Sequence, residues 1–256
     1  MTVVAVATWR GLGASASALL LAAGAAAQGT RSWLVEADPA GGVLAARAPS
    51  LRAGSGLEQV AFSTTGAGAL DDLEGASRRL GQVSVVTGSF EPFRAWSTVA
   101  SPRLDWIAAL RRLEGVVVVD VGSLRGGAAP TAKVLEIADV VVLVTTPEPA
   151  SLGATVAWMD ARGRVAPGLA GLSADTSRLL VVDAPVAAGE AFTSSVATEV
   201  GDRFAGWWPW EPKVLDHLHR GGSLDHRAVR RSTLPRAVAA SVASLRARRS
   251  GPEAAA

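Results

Sequence analysis

Six short, nearly unbroken apolar runs punctuate the chain: Val3 to Ala7, Trp33 to Ala37, Val83 to Thr87, Val116 to Val121, Val140 to Thr145 and Leu179 to Asp183. They are rich in β-branched residues, and each is bounded by Gly, Pro or charge. Continuous rather than alternating apolarity is what a strand needs when both of its faces are covered, as in a parallel sheet enclosed by helices. The intervening segments are long enough for crossover helices, for which Ala14 to Ala27, Leu70 to Leu80, Leu104 to Leu113 and Ala150 to Ala161 are the candidates. In Leu104 to Leu113 the apolar positions fall at helical spacing, with Pro102 before the start and Gly115 just past the end.

The pattern predicts an α/β fold: a single doubly wound domain, residues 1–248, with a mostly parallel sheet of six to seven strands and helices on both faces. Residues 249–256 read as a disordered tail. The first thirty residues admit two readings. Leu19 to Ala23 followed by Ala25-Ala26-Ala27-Gln28 has the outline of an export leader with a small-residue cleavage site. Against that, no positive segment precedes the apolar run, and a second strand follows directly. The segment is therefore expected to form a strand, a glycine turn at Gly11-Leu12-Gly13, and a helix. In such a sheet, function gathers at the carboxyl ends of the strands. That directs attention to Thr8 to Ser15, Asp38 to Gly42, Asp120 to Gly127, Thr146 to Pro149 and Ala184 to Gly189.

Composition narrows the chemistry. The chain has 256 residues, no Cys, and a net charge of only +2. Disulfides and thiolate metal sites are excluded. The sequence pI of 9.9 reflects a slight Arg excess in a chain without Cys or Tyr, and does not by itself indicate a nucleic-acid partner. Only two lysines are present, Lys133 and Lys213, and neither is near the glycine turn. His217, His219 and His226 are not spaced with carboxylates as a zinc site requires, and Ser15 and Ser17 have no candidate base nearby in sequence.

Taken together, the strand ends resemble the MinD/ParA group of P-loop ATPases. The group's pattern of strand, Gly-Lys-Gly-Gly-x-Gly-Lys-Thr and helix is matched by Thr8-Trp9-Arg10-Gly11-Leu12-Gly13-Ala14-Ser15. Its acidic Asp-x-Asp-Pro-x-Gly stretch resembles Glu36-Ala37-Asp38-Pro39-Ala40-Gly41-Gly42. A strand ending in Asp is matched by Val116 to Asp120, and an Ala-Asp strand with a Thr-Pro end by Ala138 to Pro147. Trp208-Pro209-Trp210-Glu211-Pro212, followed by Arg220-Gly221-Gly222, resembles a segment that borders the adenine. The likeness spans roughly residues 1 to 248.

The resemblance implies roles. Arg10, Gly11, Leu12, Gly13, Ala14, Ser15 and Ala16 would form the nucleotide loop, with Pro209 beside the base. Ser15 and Asp120 would serve Mg²⁺, and Asp38 would orient the attacking water. Both lysines of the loop are missing: their positions are Trp9 and Ala14. The expected function is accordingly a nucleotide-poor or inactive scaffold that positions a division, partition, pilus or secretion assembly. It would be cytoplasmic, dimeric or bound to a protein partner, with peripheral membrane contact allowed and no specific nucleic acid. Its cofactors would be ATP and Mg²⁺, or none if the site is fully degenerate. The alternatives are a slow Mg-dependent ATPase in which Arg10 or a partner residue substitutes for the lysines, and an exported protein with a cleaved leader. Gly206 to Trp210 reads as packing or partner surface rather than a base-stacking site. The last helix, with Leu234, Val238, Val242 and Leu245 on one face, reads as docked on its own domain.

Overall fold

Eight strands, rather than six or seven, make up the sheet of the computed structural model, which describes residues 1–9, 13–52, 56–62, 68–101, 105–124, 130–165, 176–183 and 190–247. They are β1 (Thr2–Thr8), β2 (Ser32–Glu36), β3 (Arg78–Leu80), β4 (Val83–Val86), β5 (Val116–Ser123), β6 (Val140–Thr145), β7 (Ser177–Val182) and β8 (Phe204–Trp208). Their order is β3-β4-β2-β5-β1-β6-β7-β8. Every pairing is parallel except that of β3 with β4.

Side chains alternate between the two faces of each central strand, and both faces are apolar. Val3, Ala5, Val117, Val119, Val141 and Leu143 face one core; Val4, Val6, Val118, Val142 and Val144 face the other. The first core is covered by α3 (Gly56–Phe62), α4 (Ala69–Ala76), α5 (Pro92–Ala100), α6 (Asp105–Leu110), α7 (Ala132–Ile137), α8 (Pro149–Val165) and α9 (Glu190–Val200). The second is covered by α1 (Ala14–Ala27), α2 (Leu44–Arg47), α10 (Pro212–His219) and α11 (Leu234–Ala247). The residues weighed as a leader are thus the central strand β1 and the buried helix α1.

Two helix bounds need correction, while the aromatic segment packs as expected. The helix read over Leu70 to Leu80 ends at Ala76, and Arg78–Leu80 is an antiparallel edge strand. Leu73, Ala76 and Leu80 keep a helical period, but Leu80 is buried on the opposite face of the sheet. Two arginines on so short an edge suit its exposure and discourage further pairing. The aromatic segment before Pro209 is the strand β8. Trp208 is fully buried and its Nε1 donates to Ser241 Oγ at 3.0 Å, while Trp207 Nε1 donates to Asp183 Oδ1 at 2.9 Å. Helix α6 is shorter than Leu104 to Leu113, ending at Leu110 before turns that lead into β5.

The C-terminal helix packs on α1 and β8, and Leu234, Val238, Val242 and Leu245 are all buried there. Its apolar face is therefore used inside the domain. No described helix is long and apolar enough to cross a membrane. Arg10, Gly11, Leu12, Leu104, the strand-end segment 184–189 and the tail 249–256 lie outside the described residues.

Candidate functional site

Strand β1 lies at the centre of the sheet, between β5 and β6, so its carboxyl end is flanked by two other strand ends. Beyond it the chain enters α1 through Gly13, whose φ of +87° lies in the left-handed region. The amide of Ser17 donates to the Gly13 carbonyl at 2.9 Å, closing the first turn. Among the described residues no side chain caps α1, and its first turn carries no acidic residue, so its amino end keeps its positive character.

A cleft of about 230 Å³ opens at this point. Gly13, Ala14, Ser15 and Ala16 form one wall, Asp38, Ala40, Val43 and Arg47 another, and Thr8, Gly122 and Ser123 complete it. Of the nucleotide-binding and catalytic residues expected from sequence, Gly13, Ala14, Ser15, Ala16 and Asp38 meet here. Asp120 lies just beneath, interacting with the Ser15 hydroxyl. Pro209 follows β8 at the far edge of the sheet and is not part of the cleft wall.

Three carboxylates are drawn to the ends of β2 and β5. Glu36 and Asp120 are register partners on these adjacent strands, and both are buried. Glu36 Oε1 accepts the amides of Val43 at 2.7 Å and Leu44 at 2.8 Å, and Oε2 accepts that of Gly88 at 3.1 Å. Burial pushes its carboxyl upward, and the three amide donors oppose that shift. Asp38 is raised by the same loss of water, against one N–H from Ala40 at 2.8 Å. Asp120 is pushed up to about 7, chiefly by burial and further by the negative charge of Glu36 and Asp38; its bonds from Ser15 and the Gly122 amide work the other way.

A bulge sets this geometry. Between Val6 and Ala7 of β1 the register with β5 slips, so that Val6 faces Asp120 and Ala7 faces Gly122. Gly122 has φ +66°, and a Cβ built there would lie 2.1 Å from the Asp38 carboxyl carbon. Only glycine accommodates both the backbone and the carboxylate at this point.

The donor set fits a Mg²⁺–phosphate group. The Ser15 hydroxyl and the Asp120 carboxylate are hard oxygen donors, and Asp120 Oδ2 is buried without a hydrogen-bond partner. When bound, such an ion would neutralise phosphate charge; Ser15 and Asp120 would hold it.

Two residues alter the picture drawn from sequence. Trp9, at the position of the group's second lysine, is half-buried against the core, its ring 6.4 Å from that of Trp158 on α8. That side chain is a packing element. Arg47, which sequence reading passed over, is an exposed cation on the cleft wall.

No protein-family model matches the sequence, and no curated protein does. Solved structures do match the fold over almost all of its length. The septum site-determining protein MinD of Pyrococcus horikoshii OT3, complexed with Mg-ADP, superposes with a TM-score of 0.66 at 16% identity, covering 98% of each chain. The cell-division ATPase MinD of Pyrococcus furiosus gives 0.65 at 15% identity, covering 95% of this chain and 98% of that one. A ParA-family ATPase of Chlorobium tepidum TLS gives 0.64 at 15% identity, covering 94% of this chain and 98% of that one. Identities this low establish the architecture and leave the chemistry to the residues. The chain has the fold of the MinD/ParA P-loop ATPases.

Proposed function

We propose that this chain is a MinD/ParA-like scaffold that binds nucleotide weakly, hydrolyses it poorly, and positions a division, partition, pilus or secretion assembly. The observation that carries the reading is what occupies the two lysine positions of the loop. One is Ala14 on the cleft wall; the other is Trp9, committed to packing on Trp158. A charge-assisted contact to phosphate is worth about 1.5–3 kcal/mol in binding. An electrostatic donor aimed at developing transition-state charge is worth about 10² to 10³ in rate. Losing both lysines therefore reduces turnover more than binding. The retained turn at Gly13, with Ser15, Asp38 and Asp120, supports residual Mg-dependent binding. On this reading the protein acts in the cytoplasm as a homodimer or with a protein partner, and peripheral membrane contact is compatible with it.

Titration with a fluorescent ATP analogue, with and without Mg²⁺, together with phosphate release, tests the reading. Weak Mg-dependent binding and little turnover are expected, and Ala14→Lys tightens binding roughly tenfold or more. Brisk turnover by the unmodified protein, not raised by Ala14→Lys, would overturn the proposal. Position 9 is expected to behave differently. Trp9→Lys loses the ring pair with Trp158 and is destabilised by about 1–3 kcal/mol in urea unfolding, with no gain in affinity. A Trp9→Lys variant of unchanged stability and tighter binding would show that Trp9 is not a packing residue.

A further inference from the structure

We infer that Arg47 is the phosphate-binding cation of this cleft, a site for the phosphate chain of a nucleoside triphosphate in which an arginine from outside the glycine loop replaces the loop lysines. The inference rests on the weak-binding reading above and assigns the residue on which that binding depends.

Arg47 is the sole cationic side chain among the described residues that line the cleft. It lines the same cleft as Asp38 and the first residues of α1. Among the described lining side chains it is set against the Asp38 carboxylate, with Asp120 beneath, and adds to the positive amino end of α1 in favouring an anion. Its own charge is not consumed: no ion pair holds Arg47 among the described residues. The buried Oδ2 of Asp120, without a partner under Ser15, independently marks the same cleft as built for a cation–anion ligand.

The backbone beneath Arg47 is fixed. At the start of α2 the buried Glu36 carboxylate accepts the Val43 and Leu44 amides. Leu44 and Ala48 are both fully buried, so the helix is pinned on either side of the arginine. Its guanidinium is thus carried on a rigid base and is exposed, with its charge also acting on His219 of α10. A planar fork of N–H donors suits two phosphate oxygens at once, which a lysine in the same place would not reproduce.

The test is calorimetric titration of the full chain with Mg-ATP and, separately, with inorganic pyrophosphate. The variants are Arg47→Ala, Arg47→Lys, and Arg112→Ala, an exposed arginine outside the cleft. Arg47→Ala is expected to weaken both ligands by about 10- to 100-fold and to flatten the dependence of affinity on salt, with Arg47→Lys between it and wild type. Arg112→Ala should bind like wild type. In the unmodified protein, Mg-ATP should also slow phenylglyoxal modification of Arg47, located by peptide mass mapping, a readout that does not depend on any variant folding. If wild type binds both ligands and Arg47→Ala binds within twofold of it, Arg47 is not the cation and the weak-binding scaffold stands. If wild type binds neither ligand at millimolar concentration, both the scaffold's residual binding and the role of Arg47 fall. Equal modification of Arg47 with and without bound Mg-ATP also overturns the assignment.

Discussion

Asp120→Asn is expected to make the metal-free protein more stable at pH 8, by on the order of 2–4 kcal/mol, while abolishing the Mg²⁺ dependence of nucleotide binding. The carboxyl is 1% exposed and titrates at about 7 instead of the usual 3.8 because burial penalises its charge. The sign follows from proton linkage. Between about pH 4 and pH 7 the folded state holds a proton on Asp120 that the unfolded chain has released, so stability falls as pH rises through that window. Above it the penalty is complete, at about 1.4 kcal/mol per tenfold displacement. Asparagine keeps the shape, can still accept the Gly122 amide, now bonded to Oδ1 at 3.1 Å, and brings no charge into the core; its NH₂, at the unpartnered Oδ2 position, offsets part of the gain. Urea unfolding in EDTA at pH 5 and pH 8 measures the effect. Wild type should gain stability on acidification and the variant much less, the remaining slope coming from Glu36 and Asp38, whose carboxyls are displaced in the same direction. A variant less stable than wild type at pH 8 would refute this account. Such a carboxylate weakens the empty fold, and the natural reason to retain it is a cation that compensates its charge.

The contrast between what could be read along the chain and what could not has a physical basis. The central strands were legible because a strand covered on both faces must be apolar at every position, and Val116 to Val119 and Val140 to Val144 are. Asp38 and Asp120 were singled out by their place at strand ends and by the family resemblance, and the structure puts both at the cleft. The edge strands were not. Arg78–Leu80 needs only one apolar contact and carries two arginines, and Phe204–Trp208 is only partly buried and interrupted by Gly206. Trp9 could be placed in the loop from sequence, but its partner Trp158 is brought beside it only by the packing of α8. Arg47 was hidden for a different reason. It ends a helix of four residues, too short to show any period, and reaches the cleft only because α2 is folded back against Glu36. Glu36 itself stood within the acidic stretch without a role, since nothing in the sequence shows that three amides converge on it.

Glu36→Ala is expected to be the most damaging single change at this end of the sheet, costing about 2–4 kcal/mol. Its carboxylate links three segments: β2, the start of α2 through Val43 and Leu44, and the end of β4 through Gly88. Alanine leaves three amides without their acceptor, and each unsatisfied buried donor costs about 1–3 kcal/mol. Removing the buried negative charge returns part of that, since burial raises the Glu36 carboxyl. Three orphaned donors outweigh one relieved charge, so the net effect is a loss. Glu36→Gln separates the two contributions. Its amide oxygen can keep the Val43 and Leu44 bonds while its NH₂ turns towards the Gly88 amide, so one bond is lost and the charge is relieved, and the variant should lie within about 1 kcal/mol of wild type. Hydrogen exchange locates the damage: in Glu36→Ala the amides of Val43, Leu44 and Gly88 should exchange faster than those of the central strands. Because Asp38 and Arg47 are carried on the segment that Glu36 anchors, Mg-ATP affinity should fall in Glu36→Ala about as far as in Arg47→Ala. Stability and affinity both unchanged in Glu36→Ala would mean that the cleft wall is held by something other than this carboxylate.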